Sequence, residues 1–415
     1  MGTVMRRGLR RRLLPLLTTA LVVATAGTAS VAAAPTSAAP TAAGAPTTTP
    51  ATPTATPATP ATVPAGPAAG RVLSSSAIAR ADLPPGAASG QRVTYVTRDQ
   101  NNRMALSTGV FYVPRGNVPA GGWRIFSWAH GTTGIADECA PSRTRRGDGV
   151  ESPVIDALKR GYAVTATDYA GLGSAGESEY LGGRAAAHSV IDMIRAARAR
   201  DHSLGTEWVS AGHSQGGHAA LFAGHEAPGY APELRLREIL ALAPASGIEG
   251  VLTKSFTPDV PSLGRINTVS ALYLYILAGL DHARPDLHVT DHLTSDGKRF
   301  LDLARSECNG EVSQALRSVA PGSLLGSALG GGQFAAALAD YTRVPTGGYT
   351  VPIRIDHGLL DPVVPFGLTA ALVRSMRSAG TDVDLHTHIR ADHTEIVADS
   401  LDEVMDTAAT AFGRD

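Results

Sequence analysis

Apolar and polar residues recur along the chain with two periods, and the switches between them mark out its elements. Residues 91–97 and 106–113 alternate in the manner of strands and read as a hairpin leading into a sheet. Residues 123–130, 162–168, 207–213 and 239–243 are short apolar runs of the buried-strand kind, and 351–356 and 383–388 complete the set. Helical patterns lie between them. Residues 154–160 form a short helix closed by Gly161. Ala187, Val190, Ile191, Ile194 and Ala197 share one helical face, and another helix starts at Gln215. Ile396, Val397, Leu401, Val404, Met405, Ala408 and Phe412 line a C-terminal amphipathic helix. Strands alternating with crossover helices predict an α/β fold with a mostly parallel sheet flanked by helices.

One stretch breaks this rhythm. Residues 247–348 contain no clear strand, while 271–280, 300–303 and 334–338 carry helical apolar patterns. The expectation is a helical cap inserted over the active end of the sheet; the alternative is a helical domain with no role at the site. The core is then expected in two parts, 71–246 and 349–415. Hydrophobic residues at 43% and charged residues at 18% suit a globular enzyme with a sizeable core. A formal net charge of −1 points to no nucleic acid and no other charged polymer as partner, and no stable protein partner is evident.

The N-terminal residues read as an export signal. Arg6, Arg7, Arg10, Arg11 and Arg12 precede a short apolar stretch at 13–23, and small residues follow to Ala34. The stretch is short for a membrane anchor, which needs about 20 apolar residues. Residues 1–34 are therefore expected to be a signal peptide and the protein to be secreted, with a twin-arginine and a general secretory route both open. Residues 35–70 are almost all Pro, Thr and Ala and are expected to be a disordered linker. Only two cysteines occur, Cys139 and Cys308; in an exported chain a disulfide between them is the natural hypothesis, the alternative being two buried thiols.

The strongest chemical signal is Gly212-His213-Ser214-Gln215-Gly216-Gly217, set between an apolar strand and a helical stretch. A nucleophilic serine on a sharp strand-to-helix turn needs neighbours without Cβ atoms, and Gly212 and Gly216 supply them. The following helix start would face a developing oxyanion. A serine hydroxyl needs a base, and the base needs an orienting acid; in this pattern the order along the chain is Ser, acid, His. Asp361 lies in the turn after the 351–356 strand and is the favoured acid over Asp356, which lies inside the strand. Of the late histidines, His386 and His388 share a strand face and read as structural, with a metal pair lacking a third clear ligand. His393, in the loop before the C-terminal helix, is the favoured base. His213 and His218 read as packed or hydrogen-bonded. The oxyanion donors are expected to be the backbone N–H of Gln215 and the loop Ala129-His130-Gly131-Thr132-Thr133-Gly134, with Gly131 and Thr132 foremost. No metal or organic cofactor is required.

These segments together resemble the secretory lipase family of the α/β-hydrolase superfamily. The resemblance rests on the Trp128–Gly134 stretch, Cys139-Ala140-Pro141-Ser142, Asp168-Tyr169-Ala170-Gly171-Leu172-Gly173, the serine turn, and the run from His357-Gly358 through Asp361-Pro362 to Pro365. It implies a helical cap between the sixth and seventh strands and a triad mapping onto Ser214, Asp361 and His393. It also implies hydrolysis of carboxylic esters, typically acylglycerols, with transient contact at a lipid interface. Rival readings are a short-chain esterase or polyesterase, a serine peptidase of the same fold, and a non-catalytic surface protein. A peptidase would need a charged group to fix a peptide terminus, and no clear one is seen.

Overall fold

The computed structural model describes residues 69–143, 152–255, 257–259, 269–329 and 331–413. The expected signal peptide and all but the end of the expected linker lie outside them. Nine strands form one sheet in the order β1-β2-β3-β5-β4-β6-β7-β8-β9. β1 (Val72–Ala77), β2 (Ala87–Arg98) and β3 (Met104–Pro114) are antiparallel neighbours, and β3 meets β5 (Ala163–Ala170) antiparallel. β4 (Trp123–Ala129), β5, β6 (Leu204–His213), β7 (Arg235–Leu242), β8 (Ile353–Gly358) and β9 (Val383–His388) are parallel.

The parallel strands are buried on both faces because helices cover both. α2 (Gly183–Arg200), α3 (Gln215–Tyr230) and α9 (Phe366–Ser378) enclose one core with Trp208, Ile239 and Ile355. α1 (Ser152–Lys159) and α11 (Leu401–Gly413) enclose another with Val209, Leu240 and Phe126. Trp208 and Val209, adjacent on β6, enter opposite cores, as the two-residue period of a strand requires.

Between β7 and β8 the described residues form α4 (Ile248–Ser255), α5 (Ser270–Ala283), α6 (Ser295–Ser306), α7 (Asn309–Ala315) and α8 (Gly332–Thr342). They bury a third core, in which Leu274, Tyr275 and Leu277 of α5 meet Phe300, Val312 and Leu338. Tyr180 and Leu181, from the segment before α2, join it. Cys139 and Cys308 form a disulfide, so the start of α7 is bonded to the short turn after β4.

The chain departs from the periodicity in two places. β1 was not anticipated: its sequence Val-Leu-Ser-Ser-Ser-Ala has no buried face and is held mainly by pairing with β2, with Val72 half-buried against the core. The C-terminal helix is two helices, α10 (Glu395–Asp399) and α11, separated at Ser400, whose hydroxyl is turned back onto the Ile396 carbonyl at 2.7 Å.

Candidate active site

Ser214 stands at the junction of β6 and α3 with φ at 58° and ψ at −115°, a conformation that L residues avoid. The surroundings enforce it. Its N–H donates to the Leu242 carbonyl at 2.9 Å, and its own carbonyl accepts from His218 at 3.0 Å and Ala245 at 3.1 Å. A Cβ at Gly216 would collide with the Ala129 carbonyl, and one at Gly212 with the Gly216 carbonyl. Both glycines are therefore steric requirements of the turn.

Asp361 follows β8. Its Oδ1 accepts from the Val363 and Val364 N–H groups at 2.8 and 2.9 Å. Its Oδ2 lies 2.6 Å from His393 Nδ1 and 3.2 Å from His357 Nε2. Burial alone would raise this carboxyl, but hydrogen bonding from His357 and His393 overrides it and holds Asp361 well below the usual carboxylate range.

His393 sits in the loop between β9 and α10. A carboxylate can only accept, so Nδ1 carries the proton and Nε2 is left to accept from the Ser214 hydroxyl at 2.8 Å. The loop is pinned from several sides. Leu360 N–H donates to the Ala391 carbonyl at 3.1 Å. Asp392 Oδ1 accepts from the Thr394 and Glu395 N–H groups at 2.8 and 2.9 Å. Gly358 allows the close approach, since a Cβ there would run into the Ala391 carbonyl.

The structure thus brings together Ser214, Asp361 and His393. Gln215 begins α3, where the first N–H groups have no partner within the helix. Gly131 lies alongside the serine: a Cβ at Gly131 would stand 4.0 Å from Ser214 Cβ. The Thr132 hydroxyl is turned to Tyr180 Oη at 2.6 Å, whereas the Thr133 hydroxyl is buried with no partner among the described residues. Thr133 is tied to the helical region, its carbonyl accepting from Asn309 N–H at 2.9 Å. A cleft of about 440 Å³ opens over Ser214, with Val269, Leu272 and Val363 as apolar lining and Asn309, Ser313 and Thr394 as polar lining.

The rejected candidates have other partners. Asp356 is paired with Arg354 at 2.8 Å. His388 bridges Asp356 at 3.0 Å and Asp399 at 2.7 Å. His386 lies near Asp356 and Glu403, but Arg354 already binds both of those carboxylates. His218 donates to the Thr342 carbonyl at 2.9 Å, and burial pushes it down to about 4. Sequence reasoning missed Asn309 and Ser313, which line the cleft, and Tyr180, which meets the Thr132 hydroxyl; all three come from distant segments and carry no local motif.

A mostly parallel sheet covered on both faces, with a serine on a strained strand-to-helix turn at its carboxyl end, defines an α/β-hydrolase. Candida antarctica lipase A in its closed state shares the fold at a TM-score of 0.64 and 20% identity, covering 83% of each chain. The rice cell wall degrading esterase LipA from Xanthomonas oryzae aligns at 0.62 and 18% identity, over 82% of this chain and 97% of that one. In sequence, the chain is 25% identical over 327 residues to Lipase A of Moesziomyces aphidis, spanning 73% of this chain and 67% of that protein. It is 26% identical over 296 residues to a secreted triacylglycerol lipase of Malassezia furfur, spanning 65% and 60%. Residues 150–402, more than half of the chain, match the secretory lipase family, and the chain belongs to it. It is a carboxylic ester hydrolase.

Proposed function

We propose that the chain is a secreted lipase that cleaves acylglycerol esters through an acyl-enzyme on Ser214. The observation that carries this reading is the unbroken hydrogen-bonded line from the Ser214 hydroxyl through His393 to Asp361, at 2.8 and 2.6 Å. His393 Nε2 takes the serine proton as the oxygen attacks the ester carbonyl. The resulting oxyanion is met by the Gln215 N–H and the 131–133 loop. His393 then returns the proton to the departing alcohol, leaving the acyl ester of Ser214. Water, deprotonated by His393, attacks that ester, and His393 returns the proton to Ser214 Oγ as the acyl bond breaks and the acid departs. Asp361 stays ionised throughout and stabilises the imidazolium.

In this reading residues 247–348 are a cap that supplies one wall of the cleft and buries the acyl chain, at about 0.8 kcal/mol per CH₂. Residues 1–34 are the export signal and 35–70 a spacer. The name of the Malassezia relative supports triacylglycerol as substrate, and that of the Moesziomyces relative supports lipase activity. A second reading, a short-chain esterase, is favoured by the polar lining of Asn309, Ser313 and Thr394.

The test compares p-nitrophenyl esters from C2 to C16 and emulsified triacylglycerol, with aminoacyl nitroanilides alongside. Labelling with an organophosphonate should be stoichiometric and lost in Ser214→Ala. A rate that rises with chain length supports the lipase; a peak at C2–C4 with no turnover of emulsions selects the esterase. An unlabelled wild type would remove the serine mechanism.

A further inference from the structure

We propose that His213 is a positioning residue that ties the turn carrying Ser214 to the loop carrying His393 and so sets the geometry between nucleophile and base. This rests on the triad reading above. His213 is the last residue of β6, held in register opposite Leu242 of β7. Its backbone position is therefore fixed by the sheet, whereas residues 389–394 have no sheet of their own. His213 Nε2 lies 2.6 Å from the carbonyl oxygen of His393. A carbonyl only accepts, so Nε2 carries the proton. The two rings also pack, with centroids 4.8 Å apart. On its other side, His213 Nδ1 faces the oxyanion loop, 3.4 Å from where a Cβ of Gly131 would be.

One imidazole thus spans the three segments that must converge. The backbone ties elsewhere in the loop act at residues 391, 392, 394 and 395; the His213 bond acts on the peptide of residue 393 itself. The ionisable groups facing His213 are His393, Asp361 and His357. Burial, reinforced by repulsion from His393, pushes His213 down to about 4. The ring is then an uncharged donor at working pH. A charged ring in its place would oppose the imidazolium that forms on His393 during the reaction.

His213 also forms part of the cleft wall, so direct contact with substrate is the competing explanation. Two substitutions separate them. His213→Gln keeps an amide donor near the Nε2 position; His213→Met has similar volume and no donor. On p-nitrophenyl butyrate, H213M should lose about tenfold in kcat with KM within twofold. Phosphonate labelling of Ser214 should slow by the same factor, and H213Q should stay within threefold of wild type. Equal losses in both variants, a loss carried by KM, or an H213M enzyme with wild-type kcat would overturn the proposal. Should H213M not fold, histidine ¹⁵N spectra of the wild type decide. A protonated Nε2 on His213 that does not titrate between pH 5 and 8 supports the role; a ring that titrates there, or lacks that proton, overturns it. A wild type that phosphonate does not label sinks the triad reading instead, so the two failures are distinguishable.

Discussion

Two aspartate–histidine pairs lie at the ends of β8 and β9, each separated by 32 residues in sequence: Asp356 with His388 and Asp361 with His393. The residue types and the spacing are the same, yet their surroundings differ. Asp356 lies within the sheet beside Arg354, and His388 has a carboxylate on each ring nitrogen, Asp356 on one and Asp399 on the other. Both ring nitrogens are spent on holding a charge, and none remains to take a proton from substrate or nucleophile. Asp361 lies just past the strand, and His393 has a carboxylate on one nitrogen and a serine hydroxyl on the other. An Asp–His pair becomes an acid–base device only when one nitrogen is left for the reacting group. The same pair closed by a second carboxylate is a structural clamp.

The sharpest way to break this comparison is to neutralise each aspartate in turn. Asp361→Asn should lower kcat about 10⁴-fold by removing the partner that fixes the His393 tautomer. Asp356→Asn should leave kcat within a fewfold. Steady-state rates on a soluble ester decide; similar losses in both would show that the two pairs do not divide the work. The second effect in size is on stability. D356N leaves the buried Arg354 guanidinium with only the more exposed Glu403 as its acidic partner, which should cost about 3 to 4 kcal/mol in denaturant unfolding. D361N should cost less, since its carboxylate is replaced by a group that can still accept from the Val363 and Val364 N–H groups.

A third carboxylate shows what happens when, among the described residues, no cation pairs directly with a buried acid. Glu179 accepts the Gln100 N–H at 2.6 Å, but its other oxygen is buried with no partner among the described residues. Burial pushes it up to about 7, against the lowering effect of the Gln100 bond. Asp361, equally enclosed but met by two imidazoles, moves the other way. The sign for Glu179 follows from linkage. The folded chain keeps a proton that the unfolded chain has already lost, so stability declines as pH rises from the ordinary carboxylate range to about 7. The decline should amount to about 2 to 3 kcal/mol. Glu179→Gln should remove that slope, read by unfolding at pH 5 and pH 8. An unchanged slope would mean that the carboxyl is solvated or paired after all.

The sequence made the second pair visible as rivals but could not rank the surroundings. Gly212 to Gly217, Asp361 and His393 are legible because each sits at a fixed place relative to a strand end, and strand ends follow from local periodicity. The Thr132 hydroxyl lies 2.6 Å from Tyr180 Oη, a residue 48 positions away that no local pattern connects to it. The cleft lining from α5 and α7 is invisible for the same reason: Leu272, Asn309 and Ser313 reach Ser214 through the packing of a separate core and the Cys139–Cys308 bond. β1 escaped because an edge strand needs only backbone pairing, and its serines carry no period. What was legible was chemistry anchored to the sheet; what was not was chemistry brought there by the helices.

The smallest predicted effect tests the clamp most directly. Burial would lower His388, but its bonds to Asp356 and Asp399 outweigh burial and raise it above the ordinary imidazole value. A raised histidine contributes stability that is complete below its unfolded value and is lost as pH climbs through its folded one. Asp399 is 57% exposed. Asp399→Asn should therefore cost under about 1 kcal/mol, as exposed ion pairs do. It should also move the alkaline loss of stability to lower pH, because one of the two carboxylates holding the imidazolium is gone. Activity at neutral pH should not change, since the Asp399 carboxylate binds His388, whereas His393 is bonded to Asp361 and Ser214. A tenfold loss of kcat in D399N with the fold intact would mean that the second pair governs the first, and the division between clamp and catalyst would have to be abandoned.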